Sequence, residues 1–375
     1  MKRIFFIILI ILISIRYSDA IDIRVGIING KEPVNFGATG YMDLIDLSTN
    51  EIILTTYGLG NGSIRANQNG LEVKDVGTFR GTFLLKPIVG AKALVNGNKY
   101  RGEIEVEING DEIKVINVID LEEYLYGVIK NEMSSNAPME ALKAQAVIAR
   151  TFALANLKKH EEEGYNLCSK VHCQVYKGMD TETDSVINAV NSTQAQVLTY
   201  NGEIAKIFYH AWCGGITADA SSVWGQDISY LKEVPDPFCR KLGNNGWQYT
   251  FALNEIKDIL NKNGFNIGNI SSIYEGSKSK SERVNEVVII HTNGTTAISS
   301  NKFRLMVGPD KIWSTLFTIR RNGNKVTFQG RGKGHGVGLC QQGAIMMGKL
   351  GYNYKQILGF YYPGIYLRSV IFEEE

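Results

Sequence analysis

The chain has 375 residues, 44% of them hydrophobic, and its 40 basic residues nearly balance its 38 acidic ones. This length exceeds that of a typical single domain and is enough to bury a sizeable core. The near-neutral charge, without a basic stripe, argues against a polyanion such as nucleic acid as a partner.

The N-terminus has the pattern of an export signal. Met1-Lys2-Arg3 is basic, the run Ile4 to Ile15 is apolar except for Ser14, and Ser18-Asp19-Ala20 suits signal peptidase. The apolar run is shorter than the roughly 20 residues that span a bilayer. We therefore predict a signal peptide at 1–20 and an exported, cell-envelope protein, with a retained short membrane anchor as the alternative.

Strand-like sequence follows the signal. Ile21–Ile27 and Glu103–Ile108 alternate apolar and polar residues, and Asn109-Gly110 is a hairpin turn signal. These patterns predict a β-rich N-terminal region over 21–118. The remaining chain is predicted as a mixed lobe over 119–370 with an acidic tail at 371–375, which makes the fold class α+β.

A long helix is predicted at the start of the second region. Pro138 precedes the run Met139–Lys159, whose apolar residues recur at helical spacing and whose many alanines favour a helix that other elements approach closely. Later patterns predict strands at 196–200, 204–210, 284–291 and 325–328, and helices at 253–263 and 342–350.

Glu132 lies between an apolar helical turn and the loop that leads to Pro138. A carboxylate at such a junction is most often solvated or a helix cap. Its significance comes from a set of motifs in chain order: Glu132-Met133, Leu142–Ala146, Ala149-Arg150-Thr151, His210 with Gly214-Gly215, Val223-Trp224-Gly225, Tyr230-Leu231-Lys232, and Gly334–Gly338 with Gln341, Gly343 and Ala344.

These motifs closely resemble the SpoIID/LytB family, and the resemblance runs from about Ile23 to about Tyr366. It implies a lytic transglycosylase that cleaves the MurNAc–GlcNAc bond of peptide-stripped glycan in septal, sporulation (engulfment) or vegetative wall remodelling. Its partners would be glycan strands and an exported amidase that acts first. Glu132 occupies the catalytic position, and the chemistry needs no cofactor.

One carboxyl group suffices for this reaction. As a general acid it protonates the leaving oxygen, and as a base it then takes the proton of the C6 hydroxyl, which gives a 1,6-anhydro sugar. Ordinary glycosidases need a second carboxylate, and we expect Glu122 and Glu123 to be surface or capping residues. The pKa of Glu132 must lie above the ordinary value for glutamate of about 4.3, which requires partial burial.

By the resemblance, six further residues are predicted to bind substrate, and each has a structural alternative. Arg150 would otherwise be an ion-pair partner, Gln145 a buried hydrogen-bonding group, and Lys232 a solvated charge. The complete set is Gln145, Arg150, His210, Lys232, His335 and Gln341.

Cysteines mark two departures from the family pattern. Cys340 stands where a serine is usual before the glutamine, and Cys213 stands where serine or threonine commonly precedes Gly-Gly. A Cys340/His335 nucleophilic pair is an alternative to weigh. The glycine-rich stretch 332–338 lacks the spacing and final Lys-Ser/Thr of a phosphate-binding loop.

A metal site is predicted from His160, Cys168, His172 and Cys173, which together supply ligands that zinc prefers. Some members of the family that the chain resembles hold a structural zinc in such a set. The alternative is a Cys168–Cys173 disulfide with solvated histidines. The odd total of five cysteines excludes a fully paired disulfide scaffold.

A second function class also fits the resemblance. The chain would then be a non-catalytic, wall-binding modifier that enhances a partner amidase. The presence of Glu132 favours the enzyme.

Overall fold

The computed structural model describes residues 21–58, 63–241 and 246–370, so the predicted signal peptide and acidic tail lie outside the described residues. Helices and sheets are interleaved along the described chain, which confirms the α+β prediction. Within these ranges, no helix is both long enough and apolar enough to cross a membrane.

The N-terminal region is built from strands, as the alternating sequence predicts. In chain order these are β1 (Asp22–Gly30), β2 (Val34–Ala38), β3 (Tyr41–Asp46), β4 (Glu51–Tyr57), β5 (Ile64–Asn67), β6 (Gly70–Val73), β7 (Gly77–Phe79), β8 (Thr82–Pro87), β9 (Ala93–Val95), β10 (Asn98–Tyr100), β11 (Glu103–Asn109) and β12 (Glu112–Asp120). The predicted hairpin joins β11 to β12, with Asn109 paired to Glu112.

The middle of the chain is mostly helical with short strands. It contains α1 (Leu121–Glu132), α2 (Met139–Ala155), β13 (Leu167–Cys168), α3 (Asp184–Asn191), β14 (Gln196–Tyr200), β15 (Glu203–Ile204), β16 (Tyr209–His210), α4 (Ala220–Trp224) and α5 (Pro237–Arg240). The predicted strand 204–210 is wrong as one element, because it divides into β15 and β16. Between them the backbone N–H of Lys206 donates to the Tyr230 hydroxyl rather than to a strand.

A separate lobe follows, and the chain then returns to the helices. The lobe contains β17 (Trp247–Ala252), α6 (Leu253–Lys262), β18 (Ile270–Glu275), β19 (Glu286–His291), β20 (Gly294–Ser299), α7 (Ser300–Val307), β21 (Phe317–Asn322) and β22 (Lys325–Gly330). The return contains β23 (Leu339–Cys340), α8 (Gln341–Lys349), α9 (Tyr354–Tyr361) and β24 (Tyr366–Ser369).

Sheet pairing brings distant segments together. The two N-terminal sheets have the strand orders β13-β1-β12-β11-β8-β3-β4 and β10-β9-β2-β5-β6-β7. Strand β16 pairs in parallel with β23, so that Tyr209 lies opposite Leu339 and His210 opposite Cys340. The segment around 210 and the segment around 340 therefore meet, although the whole separate lobe lies between them in sequence.

Helix α2 is the central helix, as predicted, but it ends at Ala155 rather than at Lys159. Pro138 is its N-cap, which suits a residue that has no N–H to donate. At the other end, the Asn156 side chain donates to the Phe152 carbonyl and its backbone leaves helical geometry. Most of α2 is buried, because α1, α3, α8 and α9 all pack on it.

The hydrophobic core does not break at the predicted boundary near Val118. Ile23 and Leu85 of the N-terminal strands belong to the same buried cluster as Leu125 of α1 and Leu142 of α2. The separate lobe has its own core, which includes Phe251 and which the sequence did not set apart. The division into 21–118 and 119–370 stays a prediction.

Candidate active site and metal-ligand clusters

Glu132 is the last residue of α1. The helix starts where the Asp120 carboxylate accepts the backbone N–H of Glu123, and it ends as Met133 turns into extended backbone. This places the half-buried Glu132 side chain at the helix terminus, where its Oε1 accepts the backbone N–H of Val175 at 3.3 Å. The residue is thus held against the loop that follows the predicted metal ligands.

The surroundings of Glu132 favour its protonated form. Burial raises the pKa of the carboxyl group, while the hydrogen bonds from Val175 and from the Tyr209 hydroxyl oppose that rise. Tyr209 also contacts Gln174, whose amide nitrogen lies 3.4 Å from the phenol oxygen. Tyr124 donates to the Gln174 carbonyl oxygen at 3.3 Å.

Neither Tyr209 nor Gln174 was predicted as a site residue. Tyr209 stands next to the singled-out His210, and Gln174 stands next to Cys173, so each was close to a recognised signal. Their roles depend on contacts across the fold, which one sequence does not show.

Arg150 has the contacts of the structural alternative to its predicted substrate role. Its side chain has no exposed area, and its guanidinium forms a two-point ion pair with Glu122 at 2.7 and 2.5 Å. It also donates to the carbonyl of Gln196 at 3.0 Å. Arg150 is therefore the structural ion-pair partner that the sequence had left open, and Glu122 belongs to this core contact rather than to the surface.

Gln145 and Gln341 come together where α2 meets α8. The Gln341 amide nitrogen donates to the Gln145 carbonyl oxygen at 3.2 Å, and both side chains are buried. Among the described residues, the Gln145 amide nitrogen has no hydrogen-bond partner. The pair thus joins two helices and leaves one donor free.

His210 and His335 form a second cluster. Their ring centroids are 5.6 Å apart, and Trp224 lies 5.1 Å from His335. Burial, with Arg304 and Arg283 nearby, lowers the pKa of His335 to about 3, so the imidazole is neutral. Since neighbouring side chains of a strand point to opposite faces, His210 points away from the Tyr209 side chain that contacts Glu132.

Lys232 lies apart from these groups, near α4. Its ammonium group pairs with Asp219 at 3.1 Å and with Asp227, and the side chain is 40% exposed. The exposure leaves it accessible, but its charge is already balanced by two carboxylates. This geometry agrees with the structural alternative given for Lys232, a solvated surface charge.

The structure brings the four predicted metal ligands together. One donor atom from each of His160, Cys168, His172 and Cys173 lies within 4.8 Å of the others. The His160 Nε2 is 3.4 Å from the Cys173 sulfur, and its Nδ1 contacts Glu163 at 2.6 Å. Both cysteines are free thiols. We call this set the His/Cys quartet.

A cavity of about 630 Å³ opens elsewhere, in the separate lobe. Its lining includes Gly246, Lys278, Phe317 and Arg331, and none of the lining residues is a predicted site residue.

Comparison of the sequence with known proteins identifies the family of this chain. Residues 109–200 match the family model of the stage II sporulation protein, SpoIID. Stage II sporulation protein D of Bacillus subtilis is 32% identical over 261 residues, which cover 66% of this chain and 74% of that protein. The chain belongs to the SpoIID family.

Two further relatives of this SpoIID-family chain differ in how much they share with it. An uncharacterised protein of Brachyspira hyodysenteriae is 31% identical over 344 residues, which are 92% of each chain. The amidase enhancer of Bacillus subtilis is 28% identical over 366 residues, covering 83% of this chain but only 50% of that protein.

The SpoIID match contains Glu132 and the His/Cys quartet, whereas His335 lies beyond it. Residues 244–338 match a domain of unknown function, DUF8618, which corresponds to the separate lobe and the glycine-rich segment after it. The SpoIID membership confirms the resemblance drawn from the sequence.

Proposed function

We propose that this SpoIID-family protein is a lytic transglycosylase that cleaves MurNAc–GlcNAc bonds in peptide-stripped glycan, with Glu132 as general acid and base. The observation that carries the proposal is the half-buried carboxyl group of Glu132, whose pKa is raised by burial. A carboxyl group whose pKa is raised keeps its proton to higher pH and can donate it to a leaving oxygen.

The groups around Glu132 support a mechanism with one carboxyl group. Besides burial, the groups of the described chain that perturb its pKa are a backbone N–H and a tyrosine hydroxyl, not a second acid. After donating its proton, the carboxylate would be stabilised by Val175 and Tyr209 until it accepts the C6 hydroxyl proton. That hydroxyl then attacks the anomeric carbon and closes the 1,6-anhydro ring, so no water is consumed.

The histidine cluster is the proposed place for sugar contacts. Trp224 is 37% exposed and lies beside His335, so it offers a ring face on which a pyranose can pack. Neutral His335 and the free donor of Gln145 are candidates for hydroxyl or N-acetyl groups. Arg150 is left out of this role because its guanidinium is already occupied by Glu122 and by the carbonyl of Gln196.

The His/Cys quartet fits a structural zinc ion. Two thiols and two imidazoles within 4.8 Å of one another are a typical closed donor set, and Glu163 would orient the His160 ring from outside. Zinc there would fix the loop through Cys173 and Val175 that contacts Glu132. The catalytic steps themselves need only the protein side chains.

The relatives support a setting in the cell envelope. Stage II sporulation protein D and the amidase enhancer are named for sporulation and for enhancing an amidase. We infer an exported protein that acts on the cell wall and follows an amidase, which removes the peptides before the glycan is cut.

The amidase enhancer also supports a second candidate function, that of a non-catalytic modifier that stimulates an amidase. One experiment separates the two. Purified protein is incubated with peptide-stripped glycan, and the products are examined by mass spectrometry for anhydromuramoyl ends, while amidase release of peptides is followed with and without the protein. Anhydro products support the enzyme, and amidase stimulation without them supports the modifier.

A further inference from the structure

Three of the five cysteines meet around one carboxylate, away from the His/Cys quartet. Cys213 Sγ lies 3.2 Å from Cys239 Sγ and 3.3 Å from Asp236 Oδ2. With the sulfur of Cys340, the four donor atoms lie within 4.8 Å of one another. All four residues are buried, with at most 1% of their surface exposed. We call these residues the Cys/Asp cluster.

We propose that Cys213, Asp236, Cys239 and Cys340 form a second, closed metal site that binds zinc. Three sulfurs and one carboxylate oxygen are a tetrahedral donor set that zinc accepts, and Zn–S bonds of about 2.3 Å place the donors about 3.7 Å apart. The contacts of 3.2 and 3.3 Å need to widen only slightly to reach that spacing. The inference does not depend on glycan cleavage.

Backbone N–H groups surround the sulfurs as they do in thiolate sites. Cys340 Sγ accepts from the N–H of Cys213 at 3.2 Å and from that of Gly343 at 3.4 Å, and Cys213 Sγ accepts from Gly215 at 3.3 Å. Hydrogen bonds to the charged form stabilise it. The thiolate, rather than the thiol, is the form that binds a metal ion.

The carboxylate is held in place in a comparable way. Asp236 Oδ1 accepts the N–H groups of Phe238 and Cys239, both at 3.0 Å, and Oδ2 accepts the Tyr361 hydroxyl at 2.9 Å. Such outer contacts orient metal ligands. In the described chain, the partners of this buried carboxylate are N–H, O–H and S–H groups rather than a lysine or an arginine.

A buried cation lies beside the cluster without an acidic partner. Arg283 is 2% exposed, and its Nη2 donates to the carbonyl of Cys213 at 2.8 Å. Within the described ranges, its Nε and Nη1 have no hydrogen-bond partner. An unpaired buried charge is costly. A zinc ion with three thiolates and one carboxylate carries a net charge of about −2, so it would give the Arg283 guanidinium an anionic neighbour and leave about −1 in total.

The ligands come from segments that build the candidate active site. Cys213 follows the β16 strand that contains Tyr209, and Cys340 is the N-cap of α8, immediately before Gln341. Asp236 is the N-cap of the short helix α5, which contains Cys239. Zinc here would fasten these three segments together behind the site. Cys213 and Cys340 are also the two positions at which the chain departs from the motifs it resembles.

The test is a metal count on the full-length chain, purified with its thiols reduced and reconstituted with zinc. We expect inductively coupled plasma mass spectrometry to find two zinc ions per chain. The Cys168→Ser/Cys173→Ser double variant, which leaves the proposed site intact, should keep one. In that variant, cobalt should give the intense thiolate charge-transfer bands of a sulfur-rich tetrahedral site, and a further Cys239→Ser change should abolish them.

Two results would overturn the proposal. One is a Cys168→Ser/Cys173→Ser protein that is folded by circular dichroism and binds no zinc or cobalt. The other is a Cys213–Cys239 disulfide, found by peptide mapping of the wild-type chain isolated without reductant and with its exposed thiols blocked. Neither result depends on whether the protein cleaves glycan, so the two proposals fail separately.

Discussion

The backbone N–H of Val175 lies 3.3 Å from the Glu132 carboxylate, and Val175 follows directly on Cys173 and Gln174. The loop that carries a predicted metal ligand therefore also contacts the proposed catalytic acid. Gln174, in the same loop, reaches Tyr209, the second partner of Glu132. Metal binding and the position of the catalytic carboxyl group are thus expected to be linked.

Loss of a quartet ligand should lower the turnover rate. In Cys173→Ser we expect one zinc ion fewer per chain, a lower melting temperature, and a lower kcat with KM largely unchanged, since the loop would hold Glu132 less firmly. Val171→Ala is the matched control, because Val171 is 86% exposed in the same loop. An unchanged kcat in a zinc-depleted Cys173→Ser protein would contradict the link.

Tyr209→Phe should move the pH profile of cleavage. The Tyr209 hydroxyl lowers the pKa of Glu132, and burial raises it. Removing the hydroxyl leaves burial less opposed, so the carboxyl group keeps its proton to higher pH. Since the first step needs the protonated acid, the alkaline decline of kcat/KM should shift to higher pH. Tyr354→Phe, whose hydroxyl contacts Gln196 instead, should leave the decline unmoved.

Glu122→Gln should destabilise the fold rather than alter the chemistry. The substitution leaves the fully buried Arg150 guanidinium without its counter-charge, which costs about 3–5 kcal/mol of unfolding free energy. The exposed pair Lys31–Asp111 is the control, because Lys31→Met should leave the unfolding free energy nearly unchanged. Urea unfolding measures both, and equal losses would contradict the assignment.

Gly343→Ala should be destabilising, although alanine favours helices. An added methyl group would clash with the Tyr361 hydroxyl and the Asp236 carboxylate, and such overpacking costs about 1–3 kcal/mol. Gly359→Ala in α9 is the matched control, since its methyl group meets open space. Because alanine favours the helix, this change should increase the unfolding free energy by at most about 1 kcal/mol. Thermal unfolding of both variants would show opposite shifts, and a shift of the same sign would contradict this packing.

Local sequence patterns predicted the elements that depend on local physics. Helix α2 was foreseen because its alanines and apolar residues recur at helical spacing, and the β11–β12 hairpin because Asn109-Gly110 favours the turn. The His/Cys quartet was foreseen because its ligands are close in sequence, and they also meet in space.

Contacts between residues that are distant in sequence could not be predicted from a single sequence. The Cys/Asp cluster exists because β16 pairs with β23 across the whole separate lobe, which no local pattern encodes. Arg150 had two possible roles on an alanine-rich helix, and only the approach of Glu122 decides between them. Tyr209 could not be predicted as a partner of Glu132 either, because the two residues are distant in sequence and meet only in the folded chain.

The most direct test of the central claim is Glu132→Gln assayed on peptide-stripped glycan. The amide keeps the shape of the side chain but cannot shuttle a proton, so anhydromuramoyl products should fall at least about 100-fold, while binding to the glycan is kept. Glu123→Gln, in the first turn of the same helix, is the control and should cleave normally. Cleavage by Glu132→Gln at the wild-type rate would contradict the account.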